Sequence, residues 1–516
     1  MCEAHGVIPS RLHAAICGAP APAVAGEILS LLPIHDTWPH EVLLHVPGEA
    51  EAWRLAPLYV LLTLVALAVL HEASASLGFK LHGRSGARCS QVAYVCSYFT
   101  TAVDLTIFVP VSYGLAKELG SGGAASGLIF SVYSMSNPLG QLLARSLTLS
   151  GDGRFARRLC SGFACLMALT VWYERFPLQQ CSSSSGSSNW TRLLALRALG
   201  GCLSGVTTMP TMNIAFRSTP HSERTTLSLI AFIGICLGTA SGPMFCATLL
   251  QIMGTEEASS LCLAAQHLTE FCACLWAAVA LTQSLAIPDE FQEQLLAFGS
   301  GDKGEDVLQT TPLARRQWLF ILGQVYNFER GFTVAAVEVA SSMVLETQYG
   351  WTQQQIGYAV GGALASTVPV GLLVTFVRRV VFPNDYFLMQ LLCLGTFVGS
   401  LLFFDYRPGS HITPSLLLVA DFVIYSCNWQ LSGLMNGLAM RAEIPNSWYS
   451  LETYNLMQNL VVALARALGF ALSRMAVHKL GRNAYATIQL CMMLMGASTV
   501  LKACQLCRKA EAEKVD

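Results

Sequence analysis

Twelve apolar stretches, each long enough to cross a lipid bilayer, follow one another from Gln91 to Leu506 with short polar connections between them. A transmembrane helix needs about 20 mostly apolar residues, and it satisfies its backbone hydrogen bonds internally, as hydrocarbon requires. Hydrophobic residues make up 53% of the 516 residues and charged residues only 12%, which is about half the charge of an ordinary soluble domain. We therefore expect an all-α integral membrane protein that crosses the bilayer many times.

The apolar stretches predict twelve helices, with the approximate ranges 91–117, 124–147, 155–176, 190–215, 222–253, 260–287, 315–345, 352–377, 384–404, 414–439, 447–476 and 483–506. Lys and Arg are concentrated in alternate connections, and the positive-inside rule places those connections in the cytosol. The sequon Asn189-Trp190-Thr191 falls on the other side, where a glycosylated loop must lie. The net charge of −1 gives no sign of a nucleic-acid partner.

The longest polar stretch inside the array, residues 288–314, divides six helices from six. We expect it to be a cytosolic linker between an N-terminal bundle (91–287) and a C-terminal bundle (315–506). A cytosolic tail (507–516) follows the second bundle. Two halves of equal topology around a solvated linker are typical of transporters built from parallel repeats.

The segment before the first helix leaves two alternatives open. Residues 1–53 are expected to form a flexible extension, since they lack the basic-then-apolar pattern of a cleavable signal peptide. Residues 54–73 contain a shorter apolar run, which either crosses the membrane as an extra N-terminal helix or lies along its surface. The side on which the N-terminus lies depends on that answer.

Polar side chains inside the predicted spans are the candidates for a solute path, because a charge in hydrocarbon is costly unless it faces a cavity or a partner. The expected path residues are Tyr98, Thr101, Asp104, Arg197, Arg330, Glu338, Asn455, Asn459 and Arg466. Stripes of such residues also form contacts between helices, and that alternative stays open. Four further charged residues lie near predicted helix ends, where they either pair with a neighbouring helix or reach the membrane surface: Glu118, Glu346, Glu452 and Arg474.

Buried carboxylates are also the expected sites of proton coupling, because a transporter can use their protonation to sense a proton gradient. The candidates are Asp104, Glu270, Glu338 and Asp421. Glu338 lies deeper in the seventh predicted helix than Glu329 and on the opposite side of the helix axis. We expect Glu338 at the cavity and Glu329 in a structural or gating role. His267, one turn before Glu270, is either a proton relay or a hydrogen-bond partner.

The fifth predicted helix contains a ridge of small residues that ends in a helix breaker: Gly234, Gly238, Gly242 and Pro243. The segment Gly238 to Pro243 resembles the fifth-helix motif of the major facilitator superfamily, which is associated with antiporters. In the connection after the second helix, Gly140, Arg145 and Arg154 are similar to the superfamily's cytoplasmic signature, although Ala144 replaces its acidic residue. The resemblance implies a 12-helix fold of two six-helix bundles with alternating access.

Three stretches resemble one branch of that superfamily. They are Arg197 to Gly201, Ser218 to Thr225 with Glu223 and Arg224, and the glycines before Pro243. The branch holds the SPX-type vacuolar phosphate transporters and the lysosomal protein linked to ceroid lipofuscinosis. It implies a vacuolar or endolysosomal membrane, with the plasma membrane as the alternative. The basic pair of the phosphate transporters is absent, so the resemblance does not extend to phosphate as the solute.

These features predict a secondary transporter rather than an enzyme, since the sequence shows no nucleophile–base pair, metal cluster or nucleotide loop. We expect a monomer without cofactors, embedded in the lipid bilayer, whose transport of a small solute is coupled to protons. The solute is an anion if the arginines bind it, although they can instead neutralise the buried acids. An anion-conducting channel on the same scaffold and a non-transporting receptor are the alternatives.

Overall fold

The computed structural model describes residues 85–515, with gaps at 149–152, 180–185, 218, 220–223, 254–257, 288–310, 381–384, 407–411 and 446. Each predicted span corresponds to a helix, and two of the spans are divided. The helices are α1 Ser85–Thr106, α2 Leu128–Thr148, α3 Gly153–Tyr173, α4 Gly186–Arg217, α5 Arg224–Met253, α6 Ala258–Ala286, α7 Leu313–Tyr349, α8 in two parts (Gln353–Ala365 and Thr367–Val380), α9 Asp385–Leu402, α10 Ile412–Arg441, α11 Leu451–Leu480 and α12 Arg482–Val515. The predicted extension (1–53), the extra helix (54–73) and most of the linker lie outside the described residues.

Eight of these helices, with α8 counted as one, are long and apolar enough to cross a membrane by composition. The other four, α1, α2, α7 and α10, carry buried polar side chains, among them Asp104, Gln141, Glu338 and Asp421. Neighbouring helices shield these polar groups from lipid, so that a low hydropathy is compatible with a membrane span. The chain is an integral, multi-pass membrane protein.

Prolines explain two departures from the predicted helices. The first predicted span is divided, because α1 ends at Thr106 and a separate short helix covers Ser112–Glu118. Pro110 lies between them and has no amide hydrogen for a helical bond. The break in α8 lies three residues before Pro369 for the same reason. Pro243, in contrast, lies inside a continuous α5, so its predicted role as a helix breaker is wrong.

The first six and the last six helices pack in the same pattern. In the first half α1 packs against α5, α2 against α4, and α3 against α6. The equivalent pairs of the second half, α7 with α11, α8 with α10, and α9 with α12, are also in contact. The halves meet where α2 contacts α11 and where α5 contacts α8 and α10. This is the expected arrangement of two six-helix bundles.

The glycine ridge of α5 lies directly on α1. A Cβ at Gly238 would overlap the carbonyl oxygen of Phe99, and one at Gly242 would collide with Thr106, while Gly234 faces Val95. The predicted ridge is therefore a helix–helix contact at backbone distance. It holds α1, and with it the polar stripe of this helix, in a defined position beside α5.

A similar contact joins α2 to α4. A Cβ at Gly140 would overlap the carbonyl oxygen of Cys202, and Gly201 and Gly205 of α4 lie against the backbone of Tyr133 and Asn137. Gly140, which resembled a loop-signature residue in sequence, therefore has a packing role inside the bundle.

Gly140→Ala should lower the thermal unfolding temperature of the purified protein in detergent, because the methyl group forces α2 and α4 apart. Overpacking of this kind costs about 1–3 kcal/mol. Gly162→Ala in α3 is the matched control, since a Cβ there meets no atom within 4 Å and alanine favours the helix. Equal unfolding temperatures for the two variants would contradict the packing described for α2 and α4.

Candidate functional site

A cavity of about 140 Å³ lies between the two halves, and its wall is formed by α1, α2, α4 and α5 on one side and by α7, α10 and α11 on the other. Five of the predicted path residues line it: Tyr98, Thr101, Arg330, Asn459 and Arg466. Among the described residues of the wall, two are cationic and none is acidic. The cavity therefore has the electrostatic character of a site for a negatively charged solute.

Arg330 of α7 is the cation of the cavity wall that bears most directly on the binding of an anion. Its side chain is buried (3% of the residue is exposed), and its guanidinium carbon lies 5.1 Å from the ring centre of Phe232 and 4.8 Å from that of Trp429. No hydrogen bond or ion pair joins it to another described residue, and its Nε atom has no acceptor. The aromatic faces stabilise the cation only in part.

Glu329, the neighbour of Arg330 in sequence, forms no ion pair with it. The Glu329 carboxylate accepts hydrogen bonds from Thr333 (3.0 Å) and Asn428 (3.3 Å) and packs against Gly496 of α12. Its direction away from the cavity agrees with the predicted structural role, which stays a prediction.

Arg466 of α11, the second cation of the wall, has a partner. Its Nη2 atom lies 2.6 Å from Oε2 of Glu338, a buried residue of α7. The hydroxyl group of Tyr425 donates a hydrogen bond of 3.0 Å to the other carboxylate oxygen of Glu338. Glu338 therefore stands directly behind the cavity wall, one contact away from it through Arg466.

Side chains from both halves close one side of the cavity. The hydroxyl of Tyr98 lies 3.4 Å from Oδ1 of Asn459 and 3.1 Å from the sulfur of Met212. Asn455, which was also predicted on the path, does not line the cavity; it donates a 3.1 Å hydrogen bond to Asn213 of α4. These contacts join α1 and α4 of the first half to α11 of the second.

Asp104 and Arg197 form a fully buried pair inside the first half rather than in the cavity wall. Nη1 of Arg197 lies 2.8 Å from Oδ1 of Asp104, and Nη2 donates to the Asp104 carbonyl oxygen at 2.9 Å. Trp276 of α6 donates to Oδ2 of Asp104 at 3.2 Å. In this pair the arginine neutralises a buried acid, which is the alternative to solute binding that the sequence left open.

Two further candidates for proton coupling are separated from the cavity. Asp421 is buried between α10 and α7, where it accepts a 2.7 Å hydrogen bond from Ser341. Glu270 is placed on the outer surface of α6, with 41% of its side chain exposed, and contacts Arg175 and His267 at 3.2 Å each. Its predicted location inside the bundle is wrong, because its helical face points outward.

The ends of the helices at the basic connections, which we name the basic end, are held together by ion pairs between the halves. Arg224, at the start of α5, lies 2.6 Å from the carboxylate of Glu443, which follows α10. The same carboxylate accepts a 3.0 Å hydrogen bond from the amide of Leu451. Arg217 of α4 pairs with Glu452 of α11.

The other predicted loop-motif residues are less completely described. Arg145 is half-buried at the end of α2, the side chain of Arg154 lies outside the described part, and so does Glu223. Arg224 is thus a motif residue that the structure brings into a contact between the halves.

The opposite end is closed by Arg474 of α11. This side chain is fully buried, donates to Ser112 at 2.8 Å and also donates to Ser126, both beyond the end of α1. Of the two alternatives that the sequence left open for Arg474, the structure has the contact between helices, and the turn before α2 covers the side chain. Close by, Ser131 of α2 donates to the carbonyl oxygen of Ala467 at 3.0 Å.

The predicted glycosylation site has an unexpected position. Asn189 lies in the first turn of α4 and its side chain is fully buried. An attached glycan requires an exposed amide, so the folded structure argues against this prediction. The orientation derived from the basic connections then stands without this second signal.

Some important side chains were absent from the predicted set, chiefly Glu174, Glu443, Phe232, Trp429 and Tyr133. Glu174 is followed by Arg175 and lies among aromatic residues at the end of a span, a pattern typical of a membrane surface rather than of a buried site. In an apolar helix, the sequence does not distinguish an aromatic residue that stacks on an arginine from one that packs in the hydrophobic core.

The sequence profile of the Major Facilitator Superfamily matches residues 94–469. The chain belongs to this superfamily and is a membrane transporter. A crystal structure of the human organic anion transporter MFSD10 (TETRAN) resembles it with a TM-score of 0.51 and 16% identity, over 81% of this chain and 100% of that one. At this identity the likeness shows a common fold. No curated protein sequence matches the chain significantly.

The ion pair at the basic end can be tested by exchanging its charges. Arg224→Glu and Glu443→Arg should each lower the thermal unfolding temperature, because each buries like charges against one another. The double variant Arg224→Glu/Glu443→Arg should regain a substantial part of the loss. If the double variant is as unstable as the sum of the two single variants, the pair makes no direct contribution to the closure of this end.

Proposed function

We propose that the protein is a secondary transporter that carries a small anion through the central cavity by alternating access, in company with protons. The observation that carries this proposal is Arg330, a buried cation of the cavity wall without an anionic partner in the described part of the chain. The structural neighbour is an organic anion transporter, which agrees with this proposal.

A buried guanidinium without a counter-charge is unstable, since the loss of hydration costs several kcal/mol. At the other buried arginines that the structure describes, a carboxylate or hydroxyl side chain compensates the positive charge. At Arg330 the adjacent space is the cavity itself. A solute carboxylate or similar planar oxyanion would match the two-pronged geometry of arginine. Neutral donors on the wall, among them Thr101 and Asn459, would orient the rest of the solute.

Arg466 connects anion binding to a proton. While Glu338 is ionised, its carboxylate holds Arg466 at 2.6 Å. A proton on Glu338 cancels that attraction and leaves the guanidinium available to an anion in the cavity. The proton and the anion then occupy the protein together and cross in the same direction. This sense of coupling differs from the antiport that the fifth-helix resemblance implies.

Contacts between the halves at both ends support a carrier rather than a channel. Ion pairs join the halves at the basic end, and Arg474 with its serine partners joins them at the opposite end. A carrier opens these ends in turn, because the packed halves rock against each other around a fixed site. A channel would need both ends open at once.

Arg330→Gln should weaken anion binding by about 10- to 100-fold, the usual contribution of a hydrogen bond to a charged group. Uptake into proteoliposomes would be measured for lactate, succinate and inorganic phosphate, each over a range of concentrations. Arg330→Lys keeps the charge and should recover part of the affinity. Arg192→Gln, at an exposed position of α4, is the control. An unchanged half-saturation concentration in Arg330→Gln would refute the role of Arg330.

Glu338→Gln should transport the anion without a response to an imposed pH gradient, because glutamine leaves Arg466 permanently available. Wild-type protein and the surface variant Glu270→Gln should both accelerate when the side of anion entry is acidic. The measurement is the initial uptake rate with and without the gradient. Full stimulation in Glu338→Gln would exclude this residue as the coupling site.

A further inference from the structure

A second carboxylate converges on the buried pair of Asp104 and Arg197. Glu174 follows the last residue of α3, is fully buried, and has its Oε2 atom 3.5 Å from Nη1 of Arg197. This is the same guanidinium nitrogen that binds Asp104 at 2.8 Å. Neither carboxylate oxygen of Glu174 accepts a hydrogen bond from a described residue. One arginine therefore faces two acids.

The surroundings of Glu174 contain no second cation among the described residues. The titratable groups that face it are Arg197 of α4, Asp104 of α1, Tyr133 of α2 and Cys272 of α6. Arg175, the next residue in sequence, turns away and contacts Glu270. With both acids ionised the cluster would carry a net negative charge in a fully desolvated site, which is strongly unfavourable.

One bound proton removes this imbalance. On Glu174 it leaves the observed pair of Arg197 with Asp104 intact. On Asp104 it weakens that pair and favours a movement of Arg197 towards Glu174, which is less than 1 Å farther away in the present geometry. Two acids that compete for one cation commonly titrate as a unit with a shared proton.

Tyr133 links this cluster to the cavity. Its ring lines the cavity wall, and the guanidinium carbon of Arg197 lies 4.9 Å from the ring centre on the other side. A movement of Arg197 between its two acids would therefore displace the Tyr133 ring and with it part of the wall of the solute site. The Tyr133 hydroxyl is buried without a hydrogen-bond partner among the described residues.

We propose that Asp104 and Glu174 form a proton-binding site that shares one proton, and that this proton is a second coupling ion beside the one at Glu338. The ligand is H⁺, and its uptake changes the net charge of the cluster from −1 to zero. The existence of the site is independent of the solute, whereas its role in coupling rests on the proposed function.

The shared proton can be detected by infrared difference spectroscopy of the purified protein, since a protonated carboxyl group has its own carbonyl band. Glu174→Gln and Asp104→Asn should each remove the same band, because either variant leaves one acid that Arg197 neutralises. The double variant should remove no further band, and Glu270→Gln should leave the spectrum unchanged. A band that is lost in Glu174→Gln but kept in Asp104→Asn would overturn the shared proton.

The coupling role is tested in proteoliposomes by the reversal potential, which gives the number of protons carried per anion. The probe is whichever of lactate, succinate or phosphate the wild-type protein transports. Glu174→Gln should lower that number by one, and an unchanged number would refute the second coupling site. If wild-type transport ignores the pH gradient, the proposed function fails instead, while the infrared result still decides whether the proton is shared. The unfolding temperature of each variant confirms that it is folded.

Discussion

The interior of this protein depends on the compensation of buried charges by nearby partner side chains, because neither lipid nor packed helix can hydrate an ion. Arg466 is matched by Glu338, Arg224 by Glu443, and Arg197 by an acid on each side. These pairs also fix the positions of helices from different parts of the chain. Arg330 departs from this order, since no ion pair joins it to a described residue and the cavity lies beside it. The proposed anion site rests on this local lack of compensation.

The close backbone contacts have a complementary role. Glycines let α5 lie on α1, and the equivalent glycines Gly331 and Gly469 bring α7 and α11 together at the same kind of distance. Contacts of this kind tolerate little relative movement, since each atom is already at its limit. Glycine contacts of the same kind also lie between the halves, where Gly357 of α8 faces the carbonyl oxygen of Pro243 and Gly437 of α10 faces Thr225 of α5. On the proposed mechanism, these contacts would have to change together with the ion pairs and hydroxyl groups that join the halves.

Much of the architecture could be predicted from sequence, because apolar runs of membrane length have few alternative structures. The twelve helices and the family were predicted correctly, and five of the expected path residues line the cavity. Helical periodicity shows which residues share a face but not which neighbour that face meets. Glu270 was therefore expected inside the bundle, whereas its face points outward. Glu174 was not among the predicted site residues because it lies at the end of a span. It reaches Arg197 only because of the turn after α3.

On the proposed mechanism, the uncompensated charge of Arg330 would also make the empty protein sensitive to voltage. A carrier that returns without its solute would move an unbalanced positive charge through part of the membrane field, whereas the anion-loaded form would cross as a nearly neutral body. Each elementary charge that crosses a full field of about 100 mV changes in energy by about 2.3 kcal/mol. The electrical polarity of the host membrane would then decide which half of the transport cycle is slow. It would thereby decide to which side of the membrane the empty site is open for most of the time.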